Sequence, residues 1–205
     1  MDSMDIEKTI RSLKSRKFEV SHFSTAEDAS DYLIGSIKDT TVGIGGSVTV
    51  DELNIYEKLL VSNKDVAWHW KDSSEDVLSR AAKASVYISS ANALSETGEL
   101  ILIDGKGNRV SSVINGMNKT VYIVASTNKI CPDLESAIFR ARNVAAPQNV
   151  KRILPECAKN PCLKHGKCFD CRVEERICNA MLILMCKMNA SIKYEVVLVD
   201  EPLGY

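Results

Sequence analysis

A chain of 205 residues with 45% hydrophobic and 26% charged residues has the composition of an ordinary globular protein. Its net charge of −1 excludes the strongly basic surface of a general nucleic-acid binder, and no run of about 20 apolar residues marks a membrane span. The charged start "MDSMDIEKTIRSLKSRK" has no apolar signal core, so the expectation is a cytoplasmic protein forming a single domain over 1–205, its seven cysteines reduced rather than paired.

In chain order, Ile6, Ile10 and Leu13 recur at helical spacing within 4–17. "FEVSHF" alternates as a short strand. "STAEDASDYLIGSI" follows as a helix, with Ser24 and Glu27 spaced as a capping box. "TTVGIGG" is an apolar strand ending in glycines, and "TVDELNIYEKLLV" is a helix opened by a second capping box, Thr49 and Glu52. "DVAWHW" reads as a strand with Trp68 and Trp70 on one side and His69 on the other; "SSEDVLSRAAKA" reads as a helix. This alternation predicts a parallel α/β sheet. After Ser85 the pattern changes to "SVYISS", "GELILID", "NRVSSVI" and "KTVYIVAS", all strand candidates. The turn residues of "DGKGN" join the second and third in a hairpin. "CPDLESAIFRARNVAAP" is a helix with Pro147 after it, "EERICNAMLILMCKM" an apolar helix, and "IKYEVVLVD" a buried final strand.

Two loops carry chemistry. In "VGIGGSVTVDEL" a strand feeds a helix through Gly43, Gly45 and Gly46, with Ser47 and Thr49 following. Backbone N–H groups and hydroxyls converging there suit a phosphate or carboxylate, although a tight turn with ordinary caps accounts for the same residues. The third glycine of the dinucleotide fingerprint and the lysine of a P-loop are both missing. In "SSANALSETGELILID", Asn92, Glu96, Thr97 and Gly98 follow a predicted strand, where loops of parallel sheets line the ligand crevice. Glu96 is the candidate catalytic residue, as a general base or as a nucleophile toward an acyl group; a helix cap and hairpin entry is the structural alternative. Arg140, Arg142 and Asn143 end a helix, where basic residues complement its dipole.

The segment 157–180 is rich in cysteine. Cys162, Cys168, Cys171 and Cys178 are spaced C-x5-C-x2-C-x6-C in a chain expected to be reduced. Two residues between Cys168 and Cys171 let both thiolates meet one ion, Gly166 lets the loop fold back to bring Cys162, and Cys178 lies in the predicted apolar helix. Four thiolates suit an iron–sulfur cluster, most simply of the 4Fe–4S type, or alternatively zinc; a redox dithiol of Cys168 and Cys171 leaves the other two unexplained. Lys164, Lys167, Arg172 and Arg176 would offset the charge. Cys157 is near enough to substitute as a ligand, and Cys186 reads as a small hydrophobe packed within the helix.

"VGIGGSVTVDEL", "ANALSETGELILIDGKGNRVSSVINGMNKTVYIVASTNKI", "AIFRARNVAAPQNVKRI" and "EVVLVDEPLGY" together resemble the lactate utilisation (LUD) domain family over nearly the whole chain. The cysteine segment resembles one branch of it; the better-known members, from lactate oxidation operons, lack that segment. The resemblance implies a Rossmann-like α/β core of the ribose-phosphate isomerase, glucosamine-phosphate deaminase and CoA-transferase type, with extra strands. It points to Gly43, Gly45, Gly46, Ser47 and Thr49 as a phosphate or thioester site, and aligns Glu96 with the CoA-transferase nucleophile. It also implies an accessory or electron-transfer role in oxidising lactate or a related organic acid, beside iron–sulfur oxidoreductase subunits. The alternative it leaves is a sugar-phosphate or CoA-thioester enzyme with structural zinc.

Overall fold

The alternation of helix and strand becomes a six-stranded, wholly parallel sheet in the computed structural model, which describes residues 5–155, 158–188 and 190–205. Its strands are β1 (Glu19–Phe23), β2 (Thr41–Ile44), β3 (Asp65–Ala67), β4 (Val86–Ser90), β7 (Lys119–Ser126) and β10 (Ile192–Val199), in the order β1-β10-β7-β4-β2-β3. The apolar runs of β7 and β10 are buried almost throughout, as expected of central strands covered on both faces. A second sheet holds β8 (Ile130–Cys131), β5 (Ala93–Ser95), β6 (Leu100–Asp104) and β9 (Ala180–Leu184), in that order; β6 runs antiparallel to β5 and β9. This mixed α/β architecture, dominated by parallel strands, is consistent with a Rossmann-like core.

Helices fill the layers between. On one face of the parallel sheet, α2 (Ala26–Ser36), α3 (Val48–Glu52) and α4 (Tyr56–Ser62) bury Leu33, Val50 and Leu59 against Ile44, Val124 and Val197. On the other, α1 (Ile6–Ser15), α5 (Val77–Lys83) and α6 (Asn108–Ile114) bury Leu13, Ala81 and Val113 together with Leu100 and Leu102 of the second sheet. The outer face of that sheet packs Ile101 and Ile103 against Ala137 and Ala141, where α7 (Leu134–Arg140) runs on toward α8 (Ala146–Ile153); α9 (Pro161–His165) is a single turn in the cysteine segment. No helix among the described residues is long and apolar enough to cross a membrane.

Gly43 sits where β2 meets α5. A Cβ there would lie 2.3 Å from the Ala81 carbonyl oxygen and 2.8 Å from its Cα. Backbone cannot swing aside as a side chain can. Gly43→Ala is expected to lower the unfolding free energy by about 1–3 kcal/mol, read as a lower urea midpoint at unchanged slope.

Several elements differ from their expected form. "NRVSSVI" is the helix α6, because the Asp104 carboxylate accepts from the Arg109 and Val110 amides and so nucleates a turn of helix. The hairpin instead joins β5 to β6 across Glu96, Thr97 and Gly98. "AMLIL", expected within a helix, is the strand β9: so short an apolar run fits either form, and pairing with the open edge of β6 decides it. Cys178 therefore lies in the irregular segment leading into a strand, and Cys186 is exposed beyond it, its thiol 2.9 Å from the Arg16 carbonyl oxygen. Pro147 does not follow the helix but lies inside it. A π-helical turn, Ala141–Ala145, precedes it, with the Ala146 N–H bonded to the Ala141 carbonyl, and this wider turn accommodates a residue with no N–H of its own. The helix expected over "TVDELNIYEKLLV" breaks into α3 and α4 around Asn54, which has φ 53°. Thr25 rather than Ser24 caps α2, and Ser47 rather than Thr49 caps α3.

Candidate functional site

Parallel sheets place ligands beyond the carboxyl ends of their strands, because each strand there hands over to a loop that is free to vary. The main cavity, of about 490 Å³, lies there. Its wall takes Gly46 after β2, His69 after β3, Ser90 and Asn92 at the end of β4, Lys129 after β7 and Tyr205 after β10. Ser47 Oγ lies 2.6 Å from Ser90 Oγ and accepts from the Val50 amide, which ties the β2 loop to β4. At Gly46 a Cβ would stand 2.8 Å from Trp70 Nε1 and 3.1 Å from the His69 ring, so only a hydrogen fits between the loop and these side chains.

The lining is cationic. Among the described residues, Lys106, Arg109, Lys129, Arg152 and Arg176 contribute to it, against the side-chain carboxylate of Asp104. That carboxylate is already taken by the amides of Gly105, Arg109 and Val110. Burial first, and then Lys106 and Arg109, hold the His69 imidazole below its ordinary range. Burial and the Arg140 guanidinium lower Lys129 to about 7. Arg152 lies 4.6 Å over the Trp70 ring and donates from Nε to Tyr205 Oη at 2.9 Å, forming an aromatic rim. Such a pocket favours an anion with a small apolar part.

Of the residues singled out in the sequence, Gly46, Ser47, Thr49 and Asn92 line this cavity. Gly43 packs on α5, and Gly45 is pressed against Tyr87 and Arg109. Glu96, Thr97 and Gly98 do not line it, because β5 carries the chain away from β4 to the far end of the second sheet. There Glu96 accepts from the Asp5 amide at 2.9 Å and from Lys8 Nζ at 2.7 Å, and these bonds hold its carboxyl below the usual range. Its contacts fasten α1 to the hairpin. Sequence reasoning missed His69, Arg109, Lys129 and Arg152. Lys129 was within reach of the rule that found Gly46, since "STNKI" also follows a strand.

Cys162, Cys168, Cys171 and Cys178 line one second cavity of about 20 Å³, with Arg142 and Phe169 beside them. As the side chains stand, no three His, Cys, Asp or Glu among the described residues are placed to hold a metal ion. Convergence on one cavity is thus present without coordination geometry. Arg142 Nη2 lies 3.7 Å from Cys168 Sγ, the Asp170 amide donates to the same sulfur at 3.4 Å, and Asn143 Oδ1 accepts from the Cys168 amide at 3.1 Å. Arg176 braces the loop by donating to the carbonyls of Cys171 at 2.6 Å and Cys178 at 3.0 Å. Burial, and then the neighbouring thiolates, push the Cys162 thiol up. Cys157 lies outside the described residues. Cys178 and Ala146 line both cavities, so the two centres share a wall.

A parallel α/β protein with a cationic cavity beside a group of thiols is the class these features define. The family model for the LUD domain matches residues 6–199, so the chain belongs to the LUD domain family, which is linked to lactate utilisation. Among curated proteins none matches it. A crystal structure of a DUF162 family protein from Deinococcus radiodurans is similar to it over 96% of each chain, at 11% identity and a TM-score of 0.49.

Proposed function

We propose that this LUD-domain protein binds a small organic-acid anion in the cationic cavity and holds an iron–sulfur cluster on Cys162, Cys168, Cys171 and Cys178. In this reading it serves as an electron-transfer or accessory subunit in the oxidation of lactate or a related acid in the cytoplasm. The observation that carries the reading is the shared wall: Cys178 borders the thiol cavity on one side and the ligand cavity on the other. An all-thiol donor set with an amide N–H and a guanidinium directed at sulfur suits a thiolate-ligated centre, whose charge and potential depend on such contacts.

When bound, the cluster would supply one-electron redox chemistry. The chain's own residues supply the rest. Arg109 and Arg152 attract and orient the carboxylate, and Trp70, Leu78 and Ile103 give the apolar part of the ligand its wall. Arg142 and Arg176 offset the negative charge of the thiolates. Iron–sulfur oxidoreductase subunits are the expected electron partners.

The test is metal and acid-labile sulfide analysis with a visible spectrum on protein purified without oxygen. Iron and sulfide near about four per chain, with a broad band around about 400 nm, are expected. About one zinc per chain and no colour would overturn the redox reading and favour a structural staple beside a phosphate or thioester site.

A further inference from the structure

The geometry points to Lys129 as a nucleophilic amine that forms a Schiff base with the carbonyl of a small 2-oxo acid seated in the main cavity. The inference rests on the anion-cavity part of the proposed function and is independent of the cluster.

Lys129 follows β7 at the carboxyl edge of the sheet and lines the cavity with 1% of its surface exposed. A buried ammonium requires a compensating carboxylate. Among the described residues none lies within ion-pair distance: the hydrogen-bond partner of Nζ is the neutral Thr49 hydroxyl. Glu52, the acidic group that acts on it through space, has its carboxylate engaged by the Gly204 amide at 2.7 Å. Arg140 and Arg109 add repulsion. The other buried lysine is a useful contrast. Burial lowers Lys119 too, but it donates to the Ala82 and Ser112 carbonyls at 2.8 and 3.3 Å and sits 5.3 Å over the Tyr87 ring, contacts that fit a structural role.

The Thr49 hydroxyl donates to the Leu203 carbonyl at 3.5 Å, so toward Lys129 it acts as acceptor. The amine gives Thr49 one N–H and keeps its lone pair. With Arg109 and Arg152 on the carboxylate, the carbonyl carbon of a 2-oxo acid comes within the same cavity as this lone pair. The C–N bond forms as the carbonyl π electrons move to oxygen, which takes a proton from nitrogen. In the resulting carbinolamine the nitrogen lone pair forms the C=N bond as the C–O bond breaks, and the hydroxyl departs as water with the remaining proton from nitrogen. No oxidant enters the balance.

Pyruvate is the probe. The full-length protein is incubated with pyruvate and cyanoborohydride, and its peptides are read by mass spectrometry; calorimetry measures in parallel the binding of pyruvate and of lactate, which has the carboxylate but no carbonyl. The expected result is a carboxyethyl adduct on Lys129, formed up to about a thousandfold faster at neutral pH than on exposed lysines, since far more of this amine is neutral there. Its rate should rise as pH passes through about 7. The adduct should be lost in Lys129→Arg. Because labelling is mapped on the wild-type chain, the result stands even if that variant does not fold. Pyruvate binding without an adduct at Lys129, or labelling spread evenly over exposed lysines, overturns the Schiff base and leaves the anion cavity intact. Binding of neither acid overturns both.

Discussion

Lys129→Met is expected to stabilise the protein at pH 7, by up to about 4 kcal/mol. Burial, and then the repulsion of Arg140, hold the folded-state amine at about 7 against an unfolded value of 10.5. Between those two values the unfolded chain binds a proton that the folded chain does not, so wild-type stability climbs with pH across the window from about 7 to 10.5. Below it the penalty is fully present. Methionine keeps the buried aliphatic length without the amine, and the hydroxyl it abandons retains the Leu203 carbonyl as a partner. Urea unfolding of both proteins at several pH values is the measurement. The wild-type curve should approach that of the variant as pH rises. A variant less stable than wild type at pH 7, or a gap that does not narrow with pH, would mean that Lys129 is a paired structural ammonium.

Gly46→Leu should leave the fold in place and remove ligand binding. The atoms a side chain would meet belong to the Trp70 and His69 side chains rather than to backbone, and the backbone at Gly46 is not in the left-handed region. This separates it from Gly43, where the obstacle is the backbone of α5. Branched carbons at Gly46 would occupy the space between the β2 loop and the aromatic rim. Binding of pyruvate or inorganic phosphate, followed by calorimetry, is expected to weaken by on the order of a hundredfold, about 3 kcal/mol. Affinity that survived the change would remove the glycine loop from the site.

The parallel sheet was legible because its central strands are buried on both faces and read as unbroken apolar runs, as in "TVYIVAS" and "EVVLV". The middle of the chain and the cysteine-rich end were harder to read because what decides their elements is a single partner rather than the apolar pattern. β9 is a strand since β6 offers it an edge, and α6 is a helix since one aspartate caps its first turn. Neither fact is local to the apolar pattern. The same division holds at the site. Gly46, Ser47 and Asn92 announced themselves by following strands. Arg109, Arg152 and Arg176 reach the cavity from the second sheet side, from α8 and from the cysteine segment, which no periodicity reports. Arg142 and Asn143 were read as a helix end with a dipole to complement; the π-helical turn carries them to Cys168 instead.

The pairing of β1 with β10 bears on how the chain acquires this structure. Glu19 lies opposite Glu195, and among the described residues β10 is the sole neighbour of β1 in the sheet. On a ribosome adding about 5–20 residues per second, the first strand waits on the order of 10–35 s before its partner exists. The opposite end of the sheet, where β4, β2 and β3 neighbour one another, is complete much earlier and is the natural place for folding to begin. The amino-terminal helix–strand–helix unit then docks last, although it is made first. In a dividing cell that interval is when an unpaired strand edge is most open to holdase chaperones or to a second nascent copy.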